Sequence, residues 1–254
     1  MASKTYLRAA QLTPLVSCVM PTYNRRRFIP QALRCFANRT YRNAELIVVD
    51  DSERSVRSLC EGVEGVRYLR VMVSTAGAKL NLGFEAARGE IVQNIDDDDY
   101  YGPRFIESSV KRLLGKDRER TLVTRCCFLT LVRSDGVLRH SGEGWKAGGA
   151  LCVYRDMWRR IPFNEVDLGY DSQFMRDHQP EIELICDPEQ YVVVRHGLNT
   201  WNSVASRRFK KVMRTDDYLR TQPPYKKTAA QLLDAETQAF YRKVLRWPNM
   251  PGRE

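Results

Sequence analysis

Gly89-Glu90-Ile91-Val92-Gln93-Asn94-Ile95-Asp96-Asp97-Asp98-Asp99-Tyr100-Tyr101 is the stretch on which the reading of this chain turns. Its first part has the length and apolar character of a short buried strand, and its second part is four consecutive carboxylates. Adjacent carboxylates repel, and enclosing them without partners is costly. A divalent cation relieves that cost. Mg²⁺ and Mn²⁺ prefer oxygen ligands and bind one or two carboxylates together with substrate phosphates. On extended backbone, residues two apart point the same way. The expectation is therefore that Asp96 and Asp98 face one ion while Asp97 faces elsewhere. The alternative is an acidic loop capping the helix that starts near Pro103.

Upstream, Leu15-Val16-Ser17-Cys18-Val19-Met20 is apolar at nearly every position, which suits a strand covered on both faces. It ends in Pro21-Thr22-Tyr23-Asn24 and three arginines, Arg25 to Arg27. Ile29, Ala32, Leu33, Phe36 and Ala37 then form one helical stripe. A second strand, Glu45-Leu46-Ile47-Val48-Val49, ends in Asp50-Asp51-Ser52. Polar groups thus gather at the carboxyl ends of strands, where open α/β sheets bind ligands. A third strand is expected over 66–71 and a helix over 79–88, closed by Gly89 as a helix-ending glycine. Pro103 suits the first turn of the next helix.

Downstream the texture changes. Residues 121–133 are rich in β-formers, and Ser134-Asp135-Gly136 reads as a hairpin turn. Glycines crowd 142–149 around Trp145. Strands are expected over 150–154, 183–186 and 190–195, short helices near Trp158 and from Asp171, and a loop over 163–170. Thr228-Ala229-Ala230-Gln231 is a capping box, followed by Leu233, Phe240, Val244 and Trp247 on one helical face.

The chain has 254 residues, 43% hydrophobic and 28% charged, as in a globular protein and unlike a disordered one. No apolar run approaches the roughly 20 residues that span a bilayer, and residues 1–13 look like an arm without a secretory signal. The expected location is cytoplasmic, with peripheral membrane contact as an option. Seven cysteines without CxxC spacing suggest reduced, mostly buried thiols. The net charge is +10, and residues 201–254 hold 12 Lys/Arg against 5 Asp/Glu. Such a tail suits an anionic membrane surface or nucleic acid, or is simply a solvated helical face.

Five segments in this order resemble the family 2 glycosyltransferases of GT-A fold, which transfer a sugar from a nucleotide donor with inversion. They are Val19-Met20-Pro21-Thr22-Tyr23-Asn24, Ile47-Val48-Val49-Asp50-Asp51-Ser52, Gly77-Ala78-Lys79-Leu80-Asn81-Leu82-Gly83, Ala87-Arg88-Gly89-Glu90-Ile91 with the Asp run, and Gly169-Tyr170-Asp171. The resemblance covers residues 15 to 200. It implies that Pro21, Thr22 and Tyr23 pack against the nucleoside. It also implies that Asp51 accepts from the imide N–H of uracil or thymine, as an acceptor-only group can. The Asp run is similar to the family's DxD motif. Asp96 or Asp97 would hold the ribose, and Asp98 the metal, Mn²⁺ or Mg²⁺, with Asp96 and His196 as further ligands. Lys79 sits where relatives place a basic residue near the diphosphate, although the usual Lys-Arg-Asn reads Lys79-Leu80-Asn81.

Asp171 matches the family's general base. Relatives place Glu-Asp here and this chain has Tyr170-Asp171, so the first acid is lost. Such a carboxylate takes the proton of an acceptor hydroxyl as its oxygen attacks the anomeric carbon. Helix capping is the competing role for Asp171. Trp145 and Tyr170 are expected at the acceptor site.

The expected fold is therefore α/β: a GT-A-like, Rossmann-type mixed sheet flanked by helices, with a C-terminal helical extension. Residues 14–120 form the nucleotide-sugar half, 121–200 the acceptor half and 201–254 the basic extension. The expected activity is metal-dependent transfer from a UDP- or dTDP-sugar to an acceptor hydroxyl on a saccharide, a glycoconjugate or a modified nucleic-acid base. A non-catalytic nucleotide- or sugar-binding module of the same fold is the other class. A nucleotidyltransferase ranks lower, because no Gly-rich phosphate loop follows the first strand.

Overall fold

A computed structural model describes residues 13–206 and 209–245. The expected N-terminal arm and the Trp247 end of the last helical stripe lie outside the described residues, wholly or nearly so. The first half contains β1 (Val16–Thr22), α1 (Ile29–Ala37), β2 (Ala44–Asp50), α2 (Arg57–Cys60), β3 (Val66–Arg70), α3 (Ala76–Glu85), β4 (Ile91–Asn94), β5 (Tyr100–Tyr101) and α4 (Phe105–Leu113). The next stretch contains β6 (Thr121–Arg125), β7 (Leu129–Val132), β8 (Leu138–His140), β9 (Cys152–Tyr154), α5 (Arg155–Arg160), α6 (Tyr170–His178), β10 (Glu181–Ile185) and β11 (Tyr191–Arg195). Last come β12 (Ser203–Ser206), β13 (Lys211–Arg214), α7 (Thr215–Arg220), α8 (Ala229–Leu232) and α9 (Ala235–Leu245).

Seven strands form the main sheet, in the order β10-β6-β9-β4-β1-β2-β3. β1 runs parallel to β2 and to β4, and β2 to β3. β9 lies antiparallel between β4 and β6, which makes the sheet mixed. Alternation along β1 assigns the faces. Val16, Cys18 and Met20 pack with α1 and α4, whereas Val19 packs with Leu80 and Phe84 of α3, Met157 and Trp158 of α5, and Phe174 of α6. Both faces of the central strands are therefore covered, and this explains their unbroken apolar runs. A second sheet, β5-β11-β7-β8, lies beneath the C-terminal helices. Leu129, Leu131, Val192 and Val194 pack there with Ala229, Leu233, Tyr241 and Leu245.

Several expectations change. Helix α3 ends at Glu85, so Gly89 does not terminate it. Gly89 instead meets β1: its N–H donates to Ser17 Oγ at 2.8 Å, and a Cβ there would lie 2.5 Å from the Leu15 carbonyl oxygen. The C-terminal extension is not wholly helical, because β12 and β13 pair antiparallel within it. Its last helix starts only at Ala235, after Thr228 and Gln231 cap α8, and its deepest apolar residues are Tyr241 and Leu245 rather than Phe240 and Val244. The thiols are not all reduced. Arg125 and Ile185 are register partners on parallel strands, so the residues that follow them, Cys126 and Cys186, come side by side and form a disulfide with Cα atoms 5.4 Å apart. The other five cysteines are free and buried.

Candidate active site

Strand β4 delivers the Asp run to the carboxyl end of the sheet, beside the ends of β1 and β2. β4 ends at Asn94 and the backbone bends over residues 97–99, so the strict alternation of a strand does not carry through the run. Asp97 and Asp98 point toward the loop after β1. Thr22 Oγ1 donates to Asp97 Oδ2 at 2.6 Å. Arg25 Nη1 donates to Asp97 Oδ1 at 2.9 Å and to Asp98 Oδ2 at 2.7 Å. His196 Nε2 lies 2.8 Å from the same Asp98 oxygen, and Asn199 Nδ2 donates to it at 3.3 Å. Arg25 Nη2 also donates to the Leu198 carbonyl at 2.9 Å, which ties the 196–200 loop to the Asp run.

Asp96 faces the other way. Its backbone N–H donates to Tyr101 Oη at 2.7 Å, and that hydroxyl donates to the Gly149 carbonyl at 3.0 Å. A Cβ on Gly149 would overlap Asp96 Oδ2, and one on Gly148 would overlap Asp171 Oδ2. Two consecutive glycines thus let one backbone turn sit directly against two carboxylates, a close approach that only glycine permits. Asp171 is in the first turn of α6, yet the N-cap position is Gly169 and no side-chain cap bond forms there. Its carboxylate is therefore not spent on capping.

The expectation that Asp96 and Asp98 share one ion with His196 does not match this geometry. Among the described residues, the cluster whose His, Cys or carboxylate ligand atoms all lie within 4.8 Å of one another is Cys126, Cys127 and Cys186. Asp98 and His196 do come together; Asp96 is on the Asp171 side. Asp99 is the structural member of the run. Its Oδ1 accepts from the Val194 N–H at 2.9 Å and its Oδ2 from Tyr191 Oη at 3.0 Å.

Electrostatics separates the four carboxyls. Asp98 is held below the usual carboxylate range. Burial alone would raise it, but the His196 hydrogen bond and the Arg25 charge outweigh burial. Asp97 is pushed up to about 6 by burial, with Arg25 opposing. Asp96 is raised by desolvation, then by repulsion from Asp98, Asp97 and, more weakly, Asp171, with Arg25 again opposing. Asp99 is raised well above the usual range by burial and by its neighbouring carboxylates.

The residues expected around the nucleoside lie together. Lys79 Nζ lies 2.6 Å from Asp51 Oδ1, donates to the Thr22 carbonyl at 3.4 Å, and is 5.6 Å from the Tyr23 ring centroid. Lys79 is therefore placed at Asp51, and among the described residues it makes no hydrogen bond to the Asp run. Asp50 is the capping partner: it accepts from the N–H groups of Ser52 and Val56. Pro21, half-buried, precedes this group on β1, and Tyr23 is half exposed.

Trp145 packs among Phe128, Trp201 and Tyr218 at centroid distances of 5.4, 5.5 and 6.3 Å, and its Nε1 donates to the Ser141 carbonyl at 3.1 Å. Tyr170, half-buried at the start of α6, stacks edge-on to Phe163 at 5.6 Å.

Residues 17–125 match the model of the family described as Glycosyl transferase family 2. Over this stretch the chain resembles the family 2 glycosyltransferases. The match covers β1 to β6, and so includes Thr22, Arg25, Asp51, Lys79 and the Asp run. An uncharacterized glycosyltransferase of Rickettsia felis is 30% identical over 115 residues, 43% of this chain and 19% of that protein. The putative colanic acid biosynthesis glycosyl transferase WcaA of Escherichia coli is 34% identical over 96 residues, 35% of this chain and 34% of its own length. The matched part thus spans well under half of these relatives.

Among solved structures, Staphylococcus aureus TarS 1-349 in complex with UDP-GlcNAc superposes with a TM-score of 0.59 at 16% identity, over 73% of this chain and 60% of that one. A mannosyltransferase from Pyrobaculum calidifontis, in complex with GDP-Man and Mn²⁺, gives 0.55 at 21% identity, over 72% of this chain and 56% of that one. These likenesses establish the GT-A fold.

Three contributors to the site were not singled out from sequence. Arg25 was visible only as one of three arginines. Asn199 was visible only as part of the segment after His196, and the Gly148-Gly149 turn only as part of a glycine-rich stretch, because their importance lies in what folds against them. No helix among the described residues is long and apolar enough to cross a membrane.

Proposed function

We propose that the protein transfers a sugar from a nucleotide-sugar donor to an acceptor hydroxyl, with inversion at the anomeric carbon. The carrying observation is the Asp97–Asp98 pair at the end of β4, bridged by the Arg25 guanidinium and flanked by Thr22 and His196. A cation already sits between these carboxylates. Their donor set of carboxylate oxygens and an imidazole also fits Mn²⁺ or Mg²⁺. When bound, such an ion supplies positive charge to the departing diphosphate.

The protein's own residues do the rest. Tyr23 offers an aromatic face to the base. Asp51 keeps acceptor capacity beyond its Lys79 contact and can take the imide N–H of uracil or thymine. Thr22 orients Asp97 toward the ribose. Asp98 and His196 would hold the ion. Across the Gly148-Gly149 turn, Asp171 takes the proton from the acceptor hydroxyl while that oxygen bonds to the anomeric carbon. The bond from that carbon to the diphosphate breaks on the opposite face, and the nucleoside diphosphate leaves. Trp145 and Tyr170 belong to the acceptor side in this reading, with 14–120 as the donor half and 121–200 as the acceptor half of one shared sheet.

Calorimetry with UDP, dTDP, GDP and ADP, with and without Mn²⁺, tests the proposal. Metal-dependent binding of UDP or dTDP is expected. A folded protein that binds none of the four overturns it in favour of a non-catalytic module.

A further inference from the structure

A cavity of about 220 Å³ lies on the His196 side of the molecule, lined by Arg27, Arg133, His196, Val244 and Leu245. Its parts come from four places: the turn before α1, the end of β7, the end of β11 and the last turn of α9. The β7–β11 pairing fixes two of them, since Val132 faces Arg195 and the Arg133 N–H donates to the Arg195 carbonyl at 2.9 Å.

Among the described residues, no carboxylate neutralises the charge here. Of the three consecutive arginines, Arg25 is spent on Asp97 and Asp98, and Arg26 on the Ser55 carbonyl and Ser58 Oγ. The Arg27 guanidinium has, among the described residues, only the Phe28 ring, 4.9 Å away. Neighbouring Arg195 is spent on Asp216. The Arg133 guanidinium has no hydrogen bond or ion pair among the described residues. Among the described residues no carboxylate lines the cavity. His196 has both ring nitrogens engaged, Nε2 with Asp98 and Nδ1 with the Leu198 N–H, so it acts as a wall. The free donors of the cavity are two guanidinium groups.

We propose that this cavity is an anion site, separate from the donor site, that takes a phosphate group held between Arg27 and Arg133. Two planar guanidinium forks match phosphate oxygens bidentately, and their combined charge suits a dianion better than a single carboxylate. Val244 and Leu245 give the site an apolar side on α9. The phosphate has two possible sources: the free inorganic ion, or a phosphoryl group carried on a larger ligand.

The test is calorimetric titration of the full chain with inorganic phosphate and with glycerol 1-phosphate, without nucleotide or metal. Arg27→Ala and Arg133→Ala should each weaken binding at least about tenfold. Both side chains are exposed, so unchanged melting temperatures are expected and separate lost binding from lost fold. Binding of inorganic phosphate alone assigns the cavity to the free ion. Equal binding of the ester assigns it to a ligand-borne phosphoryl group. Binding of neither, or an Arg133→Ala variant within twofold of the parent, overturns the proposal. It is also overturned if Arg133→Ala lowers Mn²⁺-dependent UDP affinity as much as Asp98→Asn does, because the cavity then belongs to the donor site. If UDP does not bind at all, the donor reading fails, while phosphate binding still decides this one.

Discussion

Asp96 and Asp97 are adjacent in sequence and keep different company in space. Asp97, with Asp98, faces Arg25, Thr22 and His196. Asp96, like Asp171, lies against the Gly148-Gly149 turn, and no ion pair to either is found among the described residues. One side of the run is thus a counter-charged cradle and the other a pair of bare carboxylates. The difference teaches that a run of identical acids is divided by the backbone bend over residues 97–99, which begins directly after Asp96. That bend gives one part of the run to charge neutralisation and leaves the other beside Asp171, the base of the proposed reaction. Cations on the Asp171 side would make a poor base, and bare carboxylates on the Asp98 side would repel a diphosphate.

The sharpest way to break this division is at Asp171. Asp171→Asn keeps the shape and removes the base, so transfer should fall about 10³-fold, while Mn²⁺-dependent UDP affinity stays within twofold. Rapid-quench transfer assays set beside calorimetry read both quantities. Near-normal turnover would mean that the bare pair is not the catalytic side.

Arg25 is the next lever, because it makes the cradle a cradle. Arg25→Gln leaves two enclosed carboxylates without their cation, and breaking such an arrangement costs about 3 kcal/mol or more. The metal-free variant should melt well below the parent, and Mn²⁺ should raise its midpoint more than it raises that of the parent. An equal response to Mn²⁺ in both proteins would separate Arg25 from the metal position. Asp98→Asn is expected to act less on stability and more on ligand. Mn²⁺-dependent UDP affinity should drop about 30-fold, with metal-free UDP binding nearly unchanged. Retention of the metal effect would move the ion to another carboxylate.

Much of this was legible from sequence. The runs at Val16–Met20, Leu46–Val49 and Ile91–Val92 announce strands covered on both faces, and the polar groups ending them mark the ligand edge. What stayed hidden depends on partners distant in sequence. The antiparallel insertion of β9 between β4 and β6 has no local signal, because a three-residue strand reads the same in either direction. The facing of Asp96 required the bend over residues 97–99 and two glycines distant in sequence, Gly148 against Asp171 and Gly149 against Asp96 itself. The Cys126–Cys186 bond required the register of β6 with β10. In the last helix the stripe was misplaced by one position, since Asp234 separates α8 from α9 and resets the phase that Leu233 had seemed to begin.

Gly149→Ala probes the bare side without touching a charge. The added methyl must displace the Asp96 carboxylate, and the backbone turn cannot yield without losing the Tyr101 bond to its carbonyl. Transfer should fall about tenfold with donor affinity kept, the scale of a small misplacement near reacting atoms. Loss of UDP binding instead would join Asp96 to the cradle and erase the division drawn above.

The smallest effect supplies a reference for the cradle. Asp234 is also held by an arginine, Arg34, but at the surface. Its Oδ1 accepts from the Glu236 and Thr237 N–H groups at 3.1 and 2.9 Å, so it caps the start of α9. Burial would raise its pKa, yet the Thr237 N–H and Arg34 outweigh burial and hold Asp234 at about 2. Because the folded value lies below the unfolded value of about 4, the ionised form favours the folded state. That stabilisation is complete above the unfolded pKa and is lost as pH falls from about 4 toward 2. Asp234→Ala should cost about 1 kcal/mol at neutral pH, the usual scale for a lost cap, since the exposed ion pair adds little. The gap between parent and variant in melting temperature should close in acid. A cost near that of Arg25→Gln would show that arginine–carboxylate contacts in this protein are strong wherever they occur, and that the Asp97–Asp98 cradle owes nothing special to its burial.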